Sequence, residues 1–253
     1  MSMVFSAKDV SCTVDSDRTA SGMDDADGTR TIFSGSSFSI RAGRIVDLTG
    51  PSGSGKTSLL TAFAGLNPHA HGIYTLNGRD SSEFSKQQWR REIAYLPQKP
   101  VLIGGSVAEV IRLPFTLTVR RRQTDMASSW RTRILSLVRD AAPTYPGDED
   151  IRKALDAVGC EDIGLTRSPQ ELSGGQAARV SLIRTLMTKP SVLLADEVDA
   201  GLDDENAEKV ARIMTCAANG GMAVVRIRHR PPDGHASRIV ELSDGRLHER
   251  TLA

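Results

Sequence analysis

The sequence has few cysteines, no long apolar run and almost no net charge, and each shortage closes off a class of protein. Cys12, Cys160 and Cys216 are the three cysteines among 253 residues; they lie far apart and form no C-x-x-C pair. Neither a zinc site nor a disulfide framework is expected, and free thiols fit a reducing, cytosolic compartment. No stretch approaches the roughly 18 apolar residues a membrane helix needs. Residues 1–8 hold no apolar core of signal-peptide length. Work at a membrane would therefore require another chain to supply the membrane part. The formal net charge is +1, so no overall field points to nucleic acid or to an anionic membrane surface. Basic residues do gather within residues 116–142, at Arg120, Arg121, Arg122, Arg131 and Arg133. Most of these charges have no interleaved aromatic, so the stretch reads first as a solvated helix face. Contact with an acidic partner or lipid headgroups is the alternative.

What is present is a run of nine residues, Gly50, Pro51, Ser52, Gly53, Ser54, Gly55, Lys56, Thr57 and Ser58. It fits G-x-x-x-x-G-K-[ST]. Glycines let the backbone turn tightly and point successive N–H groups inward as an anion nest. Lys56 adds a charge that reaches β- and γ-phosphates, and the Thr57 hydroxyl is a ligand for Mg²⁺. Residues 44–49 read as a strand entering the loop and residues 56–64 as a helix leaving it, with Leu59, Leu60 and Phe63 on one face. That order sets a helix N-terminus on the phosphates.

A second acidic strand end should accompany such a loop to hold the metal. Residues 191–197 supply it, an apolar run ending in Asp196 and Glu197. Asp196 is expected at the metal, through water, and Glu197 at the attacking water. Leu172-Ser173-Gly174-Gly175-Gln176 describes a further anion site at a helix start. One nucleotide does not need two such sites from one chain.

With these motifs in place the sequence resembles the ATP-binding cassette (ABC) ATPases, over almost its whole length. The resemblance implies an α/β fold: a RecA-like P-loop NTPase core with an antiparallel β flank and an inserted α-helical subdomain. It implies a single ABC ATPase domain over residues 1–253, with core at 1–98 and 171–253 and helical subdomain at 99–170. It also explains the duplicated anion site. Two copies pack head to tail, and Ser173, Gly174, Gly175 and Gln176 of one cap the γ-phosphate of ATP held by the other. Gln98 matches the family's Q-loop glutamine, which touches Mg²⁺ and the membrane partner. Residues 200–203 match its D-loop, and His229 its switch histidine at the γ-phosphate. Glu197 and His229 are then the catalytic pair, and Thr57, Gln98 and Asp196 the metal residues. ATP and Mg²⁺ are the implied ligands, a homodimer forms on ATP binding, and no nucleic acid is expected. The implied setting is cytoplasmic, peripheral on the inner face of the cell membrane through a separate permease.

The chain departs from the family pattern at several points. Cys12 and Val14 stand where an aromatic normally stacks on adenine, so no base-contacting residue is assigned. Val198 replaces the usual Pro after the catalytic Glu, with Asp199 following, and Arg230 replaces the Asp after His229. Asp47 lies in a strand expected to be buried. His69 and His71 are read as loop residues, and His235 and His248 as surface. Residues 93–100, 107–115 and 181–184 are similar to the bacterial Fet-type ATP-binding subunits, which are associated with iron export. Two alternatives stand beside transport: a soluble ABC ATPase acting on nucleic acid or ribosomes, and a catalytically weak nucleotide-binding regulator.

Further elements expected are strands at 4–14, 32–40, 72–76, 93–96, 192–195, 222–227 and 238–242. A long loop is expected at 15–30 and a capping-box helix start at Ser106–Glu109, with helices at 174–187 and 205–218.

Overall fold

The computed structural model describes residues 3–15, 29–117 and 145–250. Most of the expected loop at 15–30 and of the basic stretch at 116–142 lies outside the described residues.

Among the described residues the strands form two sheets. Strands β1 (Met3–Asp15), β2 (Thr29–Arg41), β4 (Ala70–Leu76) and β5 (Arg79–Asp80) make an antiparallel sheet in the order β2-β1-β4-β5. The second sheet joins β3 (Ile45–Thr49), β6 (Ile93–Leu96), β7 (Val192–Asp196), β8 (Ala223–Ile227), β9 (Arg238–Ser243) and β10 (Arg246–Arg250). Its order is β10-β9-β3-β8-β7-β6, parallel except for the β9–β10 hairpin.

Strand residues alternate between faces, which separates two cores. On one face Val46, Leu48, Val192, Leu194, Val225 and Ile227 pack with α1 (Lys56–Phe63) and the antiparallel sheet. The scarce aromatics concentrate here: Phe5, Phe38, Phe63, Tyr74, Phe84 and Trp89 form one chain of ring contacts with centroids 5.2–6.5 Å apart. On the other face Ile45, Leu193, Ala195 and Val224 meet Ala207, Val210, Met214 and Ala217 of α6 (Asp204–Asn219). A third cluster is wholly helical. It joins α3 (Val107–Thr116), α4 (Asp148–Ala157) and α5 (Gly174–Met187) through Val107, Val110, Ile111, Ile151, Leu155, Val180 and Ile183.

The helix at Val107 begins as expected, but with half of a capping box. Ser106 Oγ accepts from the Glu109 amide at 3.3 Å, whereas the Glu109 carboxylate accepts from Gly105 N at 2.8 Å. Helix α2 (Lys86–Glu92) was not expected. Its Ser85–Gln88 box is complete, and Trp89 Nε1 donates to Phe63 O at 3.0 Å. His71, expected in a loop, lies in β4. Among the described residues no helix is long and apolar enough to cross a membrane.

Cys12 and Cys160 are buried and Cys216 is exposed. Burial also raises both buried thiols above their ordinary pKa, which lowers the reactive thiolate fraction. A thiol reagent should therefore titrate one of the three cysteines in the native protein and all three in denaturant. Three fast thiols in native protein would contradict this packing.

Candidate nucleotide site

Loop 50–55 joins β3 to α1, and its shape requires glycine at two positions. Gly50 has φ +138°, and a Cβ there would stand 2.2 Å from Leu242 O. Gly55 has φ +96°, and a Cβ would stand 2.4 Å from Ile32 Cγ2. Helix α1 then starts without a side-chain cap and without an acidic residue in its first turn. Its leading amides and the positive end of its dipole suit an anion. Lys56 is buried, and its Nζ donates to Gly50 O at 2.9 Å and Pro51 O at 2.8 Å, spanning the loop. Burial lowers its pKa, while Glu197 and Asp196 act in the opposite direction.

Strand β7 ends beside this loop. Asp196 is buried, and its Oδ2 accepts from Thr57 Oγ1 at 2.8 Å and from Tyr95 Oη at 2.8 Å. Burial, and then the bond to Asp196, hold the Tyr95 phenol well above its ordinary pKa, so it remains a donor. Among the described residues no cluster of three or more His, Cys, Asp or Glu is placed to hold a metal ion. Magnesium bound beside phosphates needs only one or two carboxylates and other hard oxygens. Thr57 Oγ1 and Asp196 Oδ2 are donors of that kind, and they fit it.

Glu197 follows with φ +49°, an uncommon backbone setting for a non-glycine residue. Its amide donates to Ile227 O at 3.3 Å, which pins the turn to the end of β8. One carboxylate oxygen, Oε1, lies 2.6 Å from His229 Nε2, and the other accepts from Gln98 Nε2 at 2.7 Å. Three residues singled out in the sequence, from three separate segments, thus meet at one carboxylate. Asp196 and Lys56 lie close by: one precedes Glu197 in the chain, and the other feels its charge.

Ser173–Gln176 forms a different feature. Ser173 caps α5 by accepting from Gln176 N at 3.2 Å, and the Gln176 side chain accepts from Ser173 N at 3.0 Å. Gln176 Nε2 also donates to Asp162 at 2.7 Å. These bonds are local and none reaches loop 50–55. Gly175 abuts Leu202, whose Cδ2 would stand 2.8 Å from an added Cβ. Cys12, one of two residues expected where adenine would stack, is buried, with Asn67 Nδ2 3.6 Å from its Sγ.

Sequence reasoning missed Tyr95 and the charged groups behind the site. Asp47 pairs in register with Arg226 across β3 and β8. Arg226 Nε donates to Asp47 Oδ1 at 2.5 Å, and Arg226 Nη2 to Asp233 Oδ1 at 2.7 Å. Arg228 reaches Asp233 at 2.6 Å and Asp199 at 3.0 Å. Burial pushes the Asp47 carboxyl up from its ordinary value, and its bond to Arg226 works against that. The charge at Asp47 is thus accounted for: it is one member of a buried ionic network.

Known proteins resemble this chain in sequence and in fold. A family model described as ABC transporter matches residues 33–200. The chain is 32% identical over 217 residues to the probable iron export ATP-binding protein FetA of Escherichia coli (strain K12), covering 85% of this chain and 86% of that one. It is 33% identical over 228 residues to the phosphate import ATP-binding protein PstB 2 of Natronomonas pharaonis, covering 88% of this chain and 75% of that one. In fold it resembles a dimeric ATP-binding cassette, MJ0796, in a post-hydrolysis state bound to ADP and Pi. The TM-score is 0.71 at 22% identity, over 98% of this chain and 99% of that one.

Proposed function

The chain belongs to the ABC transporter family as an ATP-binding, ATP-hydrolysing member, and from that premise we propose how its residues divide the work. The amides of residues 50–55, Lys56, Thr57 and Ser58 hold the β- and γ-phosphates. Thr57, Asp196 and Gln98 hold Mg²⁺, which when bound neutralises charge on the phosphate oxygens. Glu197 accepts a proton from the attacking water, and His229 and Gln98 fix the direction of its carboxylate. Ser173, Gly174, Gly175 and Gln176 act on the nucleotide of a second copy, packed head to tail. That reading is supported by their bonding in one chain, none of which reaches loop 50–55.

The observation that carries the assignment is Glu197 gripped on both oxygens, at 2.6 Å by His229 and 2.7 Å by Gln98. A catalytic base needs this kind of fixed orientation. Residues 99–170 serve as the helical subdomain between core segments 1–98 and 171–253; its described helices α3 and α4 pack on α5 of the second segment in one helical cluster. The partner is a separate permease, docked near Gln98 on the cytoplasmic face of the membrane. The relative named for iron export supports a metal-export system as the transport served.

The test is ATPase activity against protein concentration, with and without Mg²⁺. Specific activity should rise with concentration and require the metal. Ser173→Arg should lower it at least about tenfold, while one chain still binds ATP. Turnover independent of both concentration and Ser173 would overturn the shared-site dimer.

A further inference from the structure

The loop that carries His229 is fastened to the segment that carries Glu197 by three consecutive residues. Arg228, buried, donates from Nε to Asp199 Oδ2 at 3.0 Å. His229 meets Glu197 at 2.6 Å. Arg230 donates to Asp204 Oδ1 at 2.6 Å and also to the backbone carbonyl of Leu202. The attachments run in parallel along residues 197–204: one beneath the site, one in it, and one beyond it at the start of α6. Neither outer attachment touches the phosphate loop.

Backbone strain adds to the picture. Glu197 sits at φ +49°, and the turn that follows it is closed by Ala200 N to Glu197 O at 2.9 Å and Leu202 N to Asp199 O at 3.3 Å. A residue in that conformation persists only when its surroundings over-determine it. The clasp supplies the determination from outside the turn. Arg228 also lies 2.6 Å from Asp233 as an ion pair without hydrogen-bond geometry, so its guanidinium is held by one directed bond and by charge. At Arg230 the planar guanidinium makes two directed bonds, to Asp204 and to Leu202 O.

We propose that Arg228 and Arg230 are positioning residues. They clasp the 228–230 loop onto residues 197–204 so that His229 and Glu197 move as one body and keep their contact. The inference rests on Glu197 and His229 acting in hydrolysis, as proposed above. It also accounts for the unusual residues here. Arg230, which departs from the family pattern, and Asp199, which follows the departing Val198, each form one end of the clasp.

The test uses the full chain with Arg230→Ala, Arg230→Lys and Asp199→Asn, beside wild type and Glu197→Gln. Asp204 is fully exposed and Arg230 lies at the surface edge, 29% exposed, so Arg230→Ala should change the melting temperature little and leave ATP affinity unchanged. Its kcat should fall about tenfold without a rise in KM, the split expected when orientation and not binding is lost. Arg230→Lys, which keeps the charge but loses the forked guanidinium, should recover part of that loss. In a His229→Ala background Arg230→Ala should cost nothing more, because the residue acts through the histidine. An equal loss in both backgrounds, or wild-type kcat in Arg230→Ala and Asp199→Asn, would overturn the clasp. If wild type turns over and Glu197→Gln does not, a failure concerns the clasp alone. Equal turnover by wild type and Glu197→Gln would overturn the catalytic assignment and the clasp together.

Discussion

Glu197→Gln should bind ATP as wild type does and lose turnover by at least about 100-fold, the scale of removing a general base. The replacement keeps size and shape, so the phosphate loop, Lys56 and the Thr57–Asp196 bond at 2.8 Å are left in place. What changes is chemistry. The carboxylate takes part in two short contacts, with His229 Nε2 at 2.6 Å and Gln98 Nε2 at 2.7 Å. An amide has one oxygen and one N–H₂ group, so it cannot accept on both sides, and it has no basic oxygen for a proton from water. Nucleotide then remains bound without being cleaved. A dimer closed by ATP should persist, visible as a shift to the dimer in size-exclusion chromatography with ATP and Mg²⁺. Wild-type turnover in this variant would remove Glu197 from the mechanism, whatever the geometry around it.

The phosphate loop and the acidic strand end were readable before the fold because each is a short motif whose spacing follows from its chemistry. Loop 50–57 needs glycine where the backbone runs at positive φ, and Asp196–Glu197 ends an apolar strand. Gln98 and His229 became readable only through resemblance, since a lone Gln or His has no local signature. The misses have a common cause. Helix α2 buries Trp89 alone in seven residues, too few for an apolar stripe, although its Ser85–Gln88 box was a signal that went unread. Tyr95 looked like one more apolar strand residue, because its hydroxyl finds Asp196 from 101 positions away. Asp47 was opaque in the same way: its partner Arg226 is 179 residues distant. Local sequence reports what a residue prefers and says nothing of which strand will lie beside it.

The Asp47–Arg226 pair yields the largest expected effect on stability. Both side chains are nearly inaccessible, at 5% and 4% exposed, and Arg226 bonds both oxygens of Asp47, at 2.5 and 3.3 Å. Removing two charges from water is costly, and here the two guanidinium groups and the three carboxylates offset that cost for one another. Arg226→Met should therefore destabilise the fold by about 3–5 kcal/mol, because Asp47 loses both of its hydrogen bonds from Arg226 and keeps only the more distant Arg228, at 4.0 Å. For a chain of this size that corresponds to a melting point lower by roughly 10 °C. Adding Asp47→Val should return much of the loss. The two positions are direct neighbours in register on the face that packs against α6, and a cavity there is lined by Val210, Met214 and Arg226. An apolar pair suits that setting. Recovery should stop short of wild type, because Asp233 loses Arg226 and keeps only Arg228 at 2.6 Å and the His235 amide at 3.0 Å. Denaturant unfolding of wild type, the two single variants and the double variant closes the cycle. Additive losses would mean that the pair is not coupled. A large positive coupling would mean that the strand beneath the phosphate loop is held to β8 by charge as well as by backbone hydrogen bonds, with Arg226 the link that cannot be removed alone.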